Sequence, residues 1–144
     1  MKKNDIYSVI REVADKEGFD YCEDNKMSRT FLIDRVSGEE FVVVPFMRTN
    51  TLCIACSVFY WGTDIDEKER AWILNKMNLR ENGLCFIMMP RKENDDEIEM
   101  MVKTDLLTIS KSHLRKEIPL SLNRLATIRE KCRKALPPYN GNSN

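Results

Sequence analysis

The stretch from Trp72 to Pro90 reads WILNKMNLRENGLCFIMMP. It closes a helix, turns at Asn82-Gly83 and enters a strand, Leu84 to Met89, that Pro90 stops. Leu84, Phe86 and Met88 alternate with Cys85, Ile87 and Met89, so the strand is apolar on both faces. That pattern predicts a strand inside a sheet rather than at its rim, with the helix covering the sheet. The helix carries more apolar surface than this needs. At about 100° per residue, Ile65, Trp72 and Leu79 fall on one side, and Ile73, Leu74 and Met77 on another. One stripe suffices to cover a sheet. Two predict a second contact, with an adjacent helix or another subunit.

Upstream, Asp64 or Asp66 starts this helix, with acids in its first turn as the helix dipole prefers. Before it come three strand patterns, Arg29 to Val36, Phe41 to Met47 and Leu52 to Trp61. Ser37-Gly38 and Thr49-Asn50 separate them, and together they form an antiparallel meander. Pro45 marks an edge or a bulge late in the second. The chain opens on a helix capped by Asp5. Its Ile6, Val9, Ile10 and Val13 keep the i, i+3, i+4, i+7 spacing, and Gly18 ends it. Phe19 and Tyr21 then tuck back toward the core, and Glu23 to Ser28 reads as a loop.

Downstream, Arg91 to Asp96 reads as a charged hairpin loop and Glu97 to about Ile109 as the fifth strand. Ser110 opens a last helix. Its Leu114, Ile118, Leu122, Leu125, Ile128, Cys132 and Leu136 step by three and four straight across Pro119, giving one kinked helix or two end to end. Pro137-Pro138 ends it. The expected fold is α+β, an antiparallel five-stranded sheet packed with helices in the order α-β-β-β-α-β-β-α. Residues 1–138 form one domain and 139–144 a flexible tail.

This succession, with the Leu74-Asn75-Lys76-Met77-Asn78 core followed by a short turn and an apolar strand, resembles the YbjN-type bacterial family. That family is similar in fold to the class I chaperones of type III secretion. The resemblance spans roughly residues 5 to 136. It implies a dimer-forming, non-enzymatic protein that binds a partner chain or modulates signalling, with no catalytic residues to transfer. In the secretion-chaperone-like fold, the second helix and the strand after it usually form the two-fold contact. The resemblance thus points to Trp72, Leu79, Leu84, Phe86 and Met88 as a partner-binding or dimer surface. Secretion chaperones are usually acidic. This chain is neutral, which argues against a secretion role.

Lys plus Arg and Asp plus Glu both number 23 among the 144 residues, so no global charge draws the protein to nucleic acid or an anionic membrane. No apolar run approaches the roughly 20 residues that span a bilayer. The five cysteines, an odd number lying mostly in apolar runs, fit reduced thiols in a bacterial cytoplasm.

Motifs for chemistry are sparse. Cys53 and Cys56 make a lone C-x-x-C inside a strand, without the second pair a zinc site wants or the helix N-terminus a redox pair uses. Their odd separation sends the two thiols to opposite faces. His113 has no acid or nucleophile near it in sequence. Asp95, Asp96, Glu97 and Glu99 lack the glycine of a calcium loop and read as a solvated hairpin tip. Phosphate-loop patterns are absent. From Lys111 to Lys134, eight cations face two acids, but they spread over the polar arc and no aromatics interleave them for base stacking. The methionines near the core elements are adaptable packers that also serve variable binding surfaces. Three helices need not cover both faces of the sheet, and an uncovered apolar patch would mark a binding surface.

The expectation is a non-enzymatic, chaperone-like or regulatory adaptor that binds a protein segment of unknown identity as a homodimer, with no cofactor or metal and no membrane or nucleic-acid partner. The alternatives are a small enzyme or nucleotide binder with a site assembled from dispersed residues, or a weak nucleic-acid binder using the basic last helix.

Overall fold

The computed structural model describes residues 1–24, 26, 29–62, 66–81, 83–91 and 94–135, with side chains left aside at 59–62, 90–91, 94–97 and 135. The expected tail, 139–144, lies outside them, as do Ile65 and the Pro137-Pro138 stop. The order is α1 (Lys3–Glu17), β1 (Phe19–Asp24), β2 (Arg29–Asp34), β3 (Glu40–Phe46), β4 (Thr51–Gly62), α2 (Glu67–Arg80), β5 (Cys85–Arg91), β6 (Asn94–Leu107) and α3 (Lys111–Ala135). The class is α+β as expected, but the sheet has six strands, in the order β1-β2-β3-β4-β6-β5. No helix among the described residues is long and apolar enough to cross a membrane.

By internal packing the chain divides into two units, residues 1–55 with 104–124, and residues 56–103 with 125–144. In the first, α1 buries Ile6, Val9, Ile10 and Val13, the face its periodicity predicts. Asp5 is not the cap. Helix α1 begins one turn earlier at Lys3, and Asp5 sits in the first turn, where its charge still complements the dipole. Gly18 adopts φ 81° and its N–H closes the helix on the Ala14 carbonyl.

The unexpected strand is β1, pairing antiparallel with β2 from Phe19↔Asp34 to Asp24↔Arg29. Its inward Phe19 meets Phe41 edge to face, the centroids 5.8 Å apart. Leu32, Phe41, Val43, Leu52 and Ile54 complete the buried face of the sheet, with Leu114, Ile118 and Leu122 of α3. The opposite side chains, Phe31, Val42, Val44 and Cys53, are half-buried. Pro45 lies beyond the last β2–β3 pair, Thr30↔Val43, where β3 no longer needs its N–H for β2. Ion pairs tie α1 to the start of α3. Arg115 forks onto Glu12 at 2.8 and 3.3 Å, and Lys111 reaches Asp5 at 3.3 Å.

In the second unit, Asp66 caps α2 by accepting from the Lys68 N–H at 3.2 Å. Strand β5 is at the rim of the sheet, not inside it, and among the described residues pairs with β6 alone, from Cys85↔Lys103 to Arg91↔Asn94. Pro90 does not stop the strand, because an edge strand tolerates a missing donor, though the register shifts just after it. Strand β6 starts at Asn94, three residues before the expected Glu97, so the acids expected in a hairpin loop lie within the strand. Helix α3 runs unbroken through Pro119. Ser110 accepts from the His113 N–H at 3.1 Å at its start.

Candidate functional site

The expected site residues gather around α2 but do not share one surface. Trp72 is 62% exposed and Leu79 85% exposed, whereas Phe86 and Leu84 are buried within the chain and Met88 is half-buried. Of the α2 apolar residues only Ile73 is fully buried. The outward stripe therefore exists as the two exposed side chains on α2. Phe86 lies beneath the helix, in the wall it shares with Ile73 and Met77.

Asn78 fixes that relation. Its side-chain Oδ1 accepts the Phe86 N–H at 2.6 Å, and its Nδ2 donates to the Phe86 carbonyl at 3.1 Å. One amide thus supplies the donor and acceptor that a neighbouring strand would have offered. Both Phe86 backbone groups point away from β6, so Phe86↔Val102 is a non-hydrogen-bonded pair of the ladder. This is why a strand with apolar side chains on both faces can sit at the rim. The helix occupies its open edge and blocks pairing with another chain there.

Between α2, β5 and the last turns of α3 lies a cavity of about 220 Å³. Ile73, Met77, Phe86 and Cys132 form its apolar walls, Trp72 lines one side, and Lys76, Arg80, Lys131 and Glu81 complete the lining. The Lys76 ammonium lies 4.8 Å from the centroid of the Trp72 ring, a cation–π contact. Lys131 reaches Glu81 at 3.6 Å. Burial and the nearby Glu81 carboxylate push the Cys132 thiol up to about 11. It is therefore protonated at neutral pH and is a poor nucleophile.

Elsewhere the sequence candidates are scattered. None of the five cysteines forms a disulfide; Cys53 is half-exposed and Cys56 buried, on opposite faces as their odd separation predicts. His113 is half-buried in the first turn of α3, where its N–H serves the Ser110 cap. Among the described residues no three metal-ligating side chains converge. The basic helix spends much of its charge locally. Lys111, Arg115 and Lys131 meet carboxylates, Arg129 is buried, and the Arg133 guanidinium donates to the Val58 carbonyl at 2.5 Å.

No protein-family profile matches the sequence, and no curated protein matches it. Among solved structures, the chain is similar to the crystal structure of YbjN from E. coli, described there as a candidate transcription regulator. The TM-score is 0.66 at 11% identity, over 90% of this chain and 92% of that one. The YbjN-type resemblance read from the order of elements thus holds at the level of the fold.

Proposed function

We propose that this protein is a non-enzymatic regulatory adaptor of the bacterial cytoplasm that holds a partner protein segment and works as a homodimer through the outer face of α2. The observation that carries the reading is the exposure of Trp72 and Leu79 on a helix already anchored by Ile73 and Asn78. An exposed tryptophan seven residues from an exposed leucine, two helical turns along, is the kind of anchor found at interface centres. The shared fold with a candidate transcription regulator supports a regulatory role, and five cysteines without a disulfide fit a reducing compartment. The engagement of the α3 cations with the protein's own groups weighs against nucleic acid as the partner.

The test is the mass of the protein by light scattering at micromolar concentration. Dimer mass is expected for the wild type, and a folded monomer for Trp72→Glu. The same variant should release a stoichiometric protein partner isolated with the wild type from its host. A wild-type monomer at high concentration would overturn the homodimer, and a partner retained by Trp72→Glu would move the binding surface away from α2.

A further inference from the structure

Trp72, Lys76, Arg80 and Lys131 around the α2 cavity are exposed, so it opens to solvent above a buried floor. The cavity beside α2, at about 220 Å³, is several times the roughly 30 Å³ that a water occupies in the liquid. Its floor is apolar, since Ile73, Phe86 and Cys132 are buried. Three cations and one carboxylate complete the lining. The carboxylate, Glu81, is already matched by Lys131 at 3.6 Å. That leaves Lys76, held over the Trp72 ring, and Arg80, one helical turn further on, as surplus positive charge at the same pocket.

We infer that this cavity is a binding site for a small amphipathic monoanion, a medium-chain or aryl carboxylate whose apolar body lies against Ile73, Met77 and Phe86 and whose charge meets Lys76 and Arg80. Size limits the ligand, because pockets for drug-sized molecules run from roughly 300 to 1,000 Å³. A short chain or a single ring fits the space, and a long acyl chain does not. Charge sets the sign. A cationic amphiphile would place its head beside Lys76 and Arg80, and a neutral one would leave those contacts unused. Cys132 remains a protonated thiol at neutral pH, so that wall neither repels the anion nor attacks it. The site goes beyond adaptor binding, although it shares Trp72 with the proposed dimer face.

The test is an amide NMR titration of the full chain with sodium octanoate, using octylammonium and 1-octanol as matched probes. Saturable shifts are expected at Ile73, Met77, Phe86 and Cys132, with octanoate binding at least about tenfold more tightly than octylammonium, as a charge-assisted contact predicts. Lys76→Glu with Arg80→Glu should weaken octanoate at least about tenfold and leave 1-octanol unaffected. Cys132→Phe, which fills the cavity, should abolish binding of all three probes. If that variant does not fold, the surface charge reversal decides alone. No saturable shift at millimolar octanoate would overturn the inference. So would equal affinity for the three probes, shifts confined to the half-buried sheet face, or undiminished octanoate binding after charge reversal. Dimerisation that survives any of these results is unaffected, because light scattering reads it separately.

Discussion

Helices α1 and α2 are nearly equal in length, 15 and 14 residues, yet α1 buries five side chains and α2 buries one. Composition does not explain the contrast, since α2 carries Trp72, Ile73, Leu74, Met77 and Leu79. Placement does. The apolar residues of α1 keep to one stripe and are consumed by the core. Those of α2 spread around the axis, so one contact cannot take them all. A specific polar grip, Asn78 on Phe86, replaces much of the burial that holds α1 in place. The first helix is scaffold. The second is fastened at a few points and leaves Trp72 and Leu79 exposed.

The largest expected difference is in the cost of truncation. Ile10→Ala should destabilise by about 2–5 kcal/mol in urea unfolding, as buried aliphatic deletions do. Leu79→Ala should fall within about 0.5 kcal/mol at protein concentrations too low for assembly. A Leu79→Ala cost matching that of Ile10→Ala, and independent of concentration, would erase the contrast.

Next in size is the polar grip. Asn78→Ala should cost about 1–3 kcal/mol, because two part-buried backbone groups of Phe86 lose their partners. It should also raise light scattering on storage, as the uncovered edge of β5 finds other strands. Asn78→Asp keeps the acceptor and loses the donor, and should fall between the two. A silent Asn78→Ala would mean that packing alone holds α2.

The smallest effect is electrostatic and belongs to the first unit. A hydrogen bond from Arg115 holds Glu12 below the ordinary carboxylate value of 4.5, and hydrogen bonds from Tyr21 and then Arg11 do the same for Glu23. A lowered folded-state value means that the unfolded chain takes up protons first. The stability these groups add is therefore present above the ordinary value and lost as pH falls through their lowered ones. Both are solvent-exposed, so the effect is modest and screened by salt. Glu12→Gln should flatten part of the acid limb of a stability–pH curve measured below pH 4.5. An unchanged limb would leave the Arg115 fork without energetic weight.

Periodicity made α1 and α3 readable, because each has a single apolar face, and turn residues between strand-forming runs made the two hairpins readable. Strand β1 escaped because FDYCED alternates only Phe19 and Tyr21 with acids and lies at an edge. Rim position escaped for the opposite reason. Alternation in Leu84 to Met89 says how many faces are apolar but not what covers the backbone edge, and that cover is a side chain eight residues back, Asn78. Trp72 and Leu79 were legible as surplus. Phe86 and Leu84 were not legible as buried, since alternation cannot say which face of a strand meets the helix. The cavity could not be read at all, because Cys132 and Lys131 join it from more than forty residues beyond Phe86.

The Asn78–Phe86 grip also bears on when this part of the chain takes shape. Closing a loop of eight residues costs little chain entropy, and the cost grows only slowly with length. Strand β6 and helix α3 are not needed to make the contact. On a growing chain, the helix, the turn and the first residues of β5 can therefore meet as soon as Phe86 has emerged, well before β6, the strand's neighbour in the sheet, has been synthesised. The edge of β5 is covered during the interval in which it would otherwise be most exposed to the wrong partner.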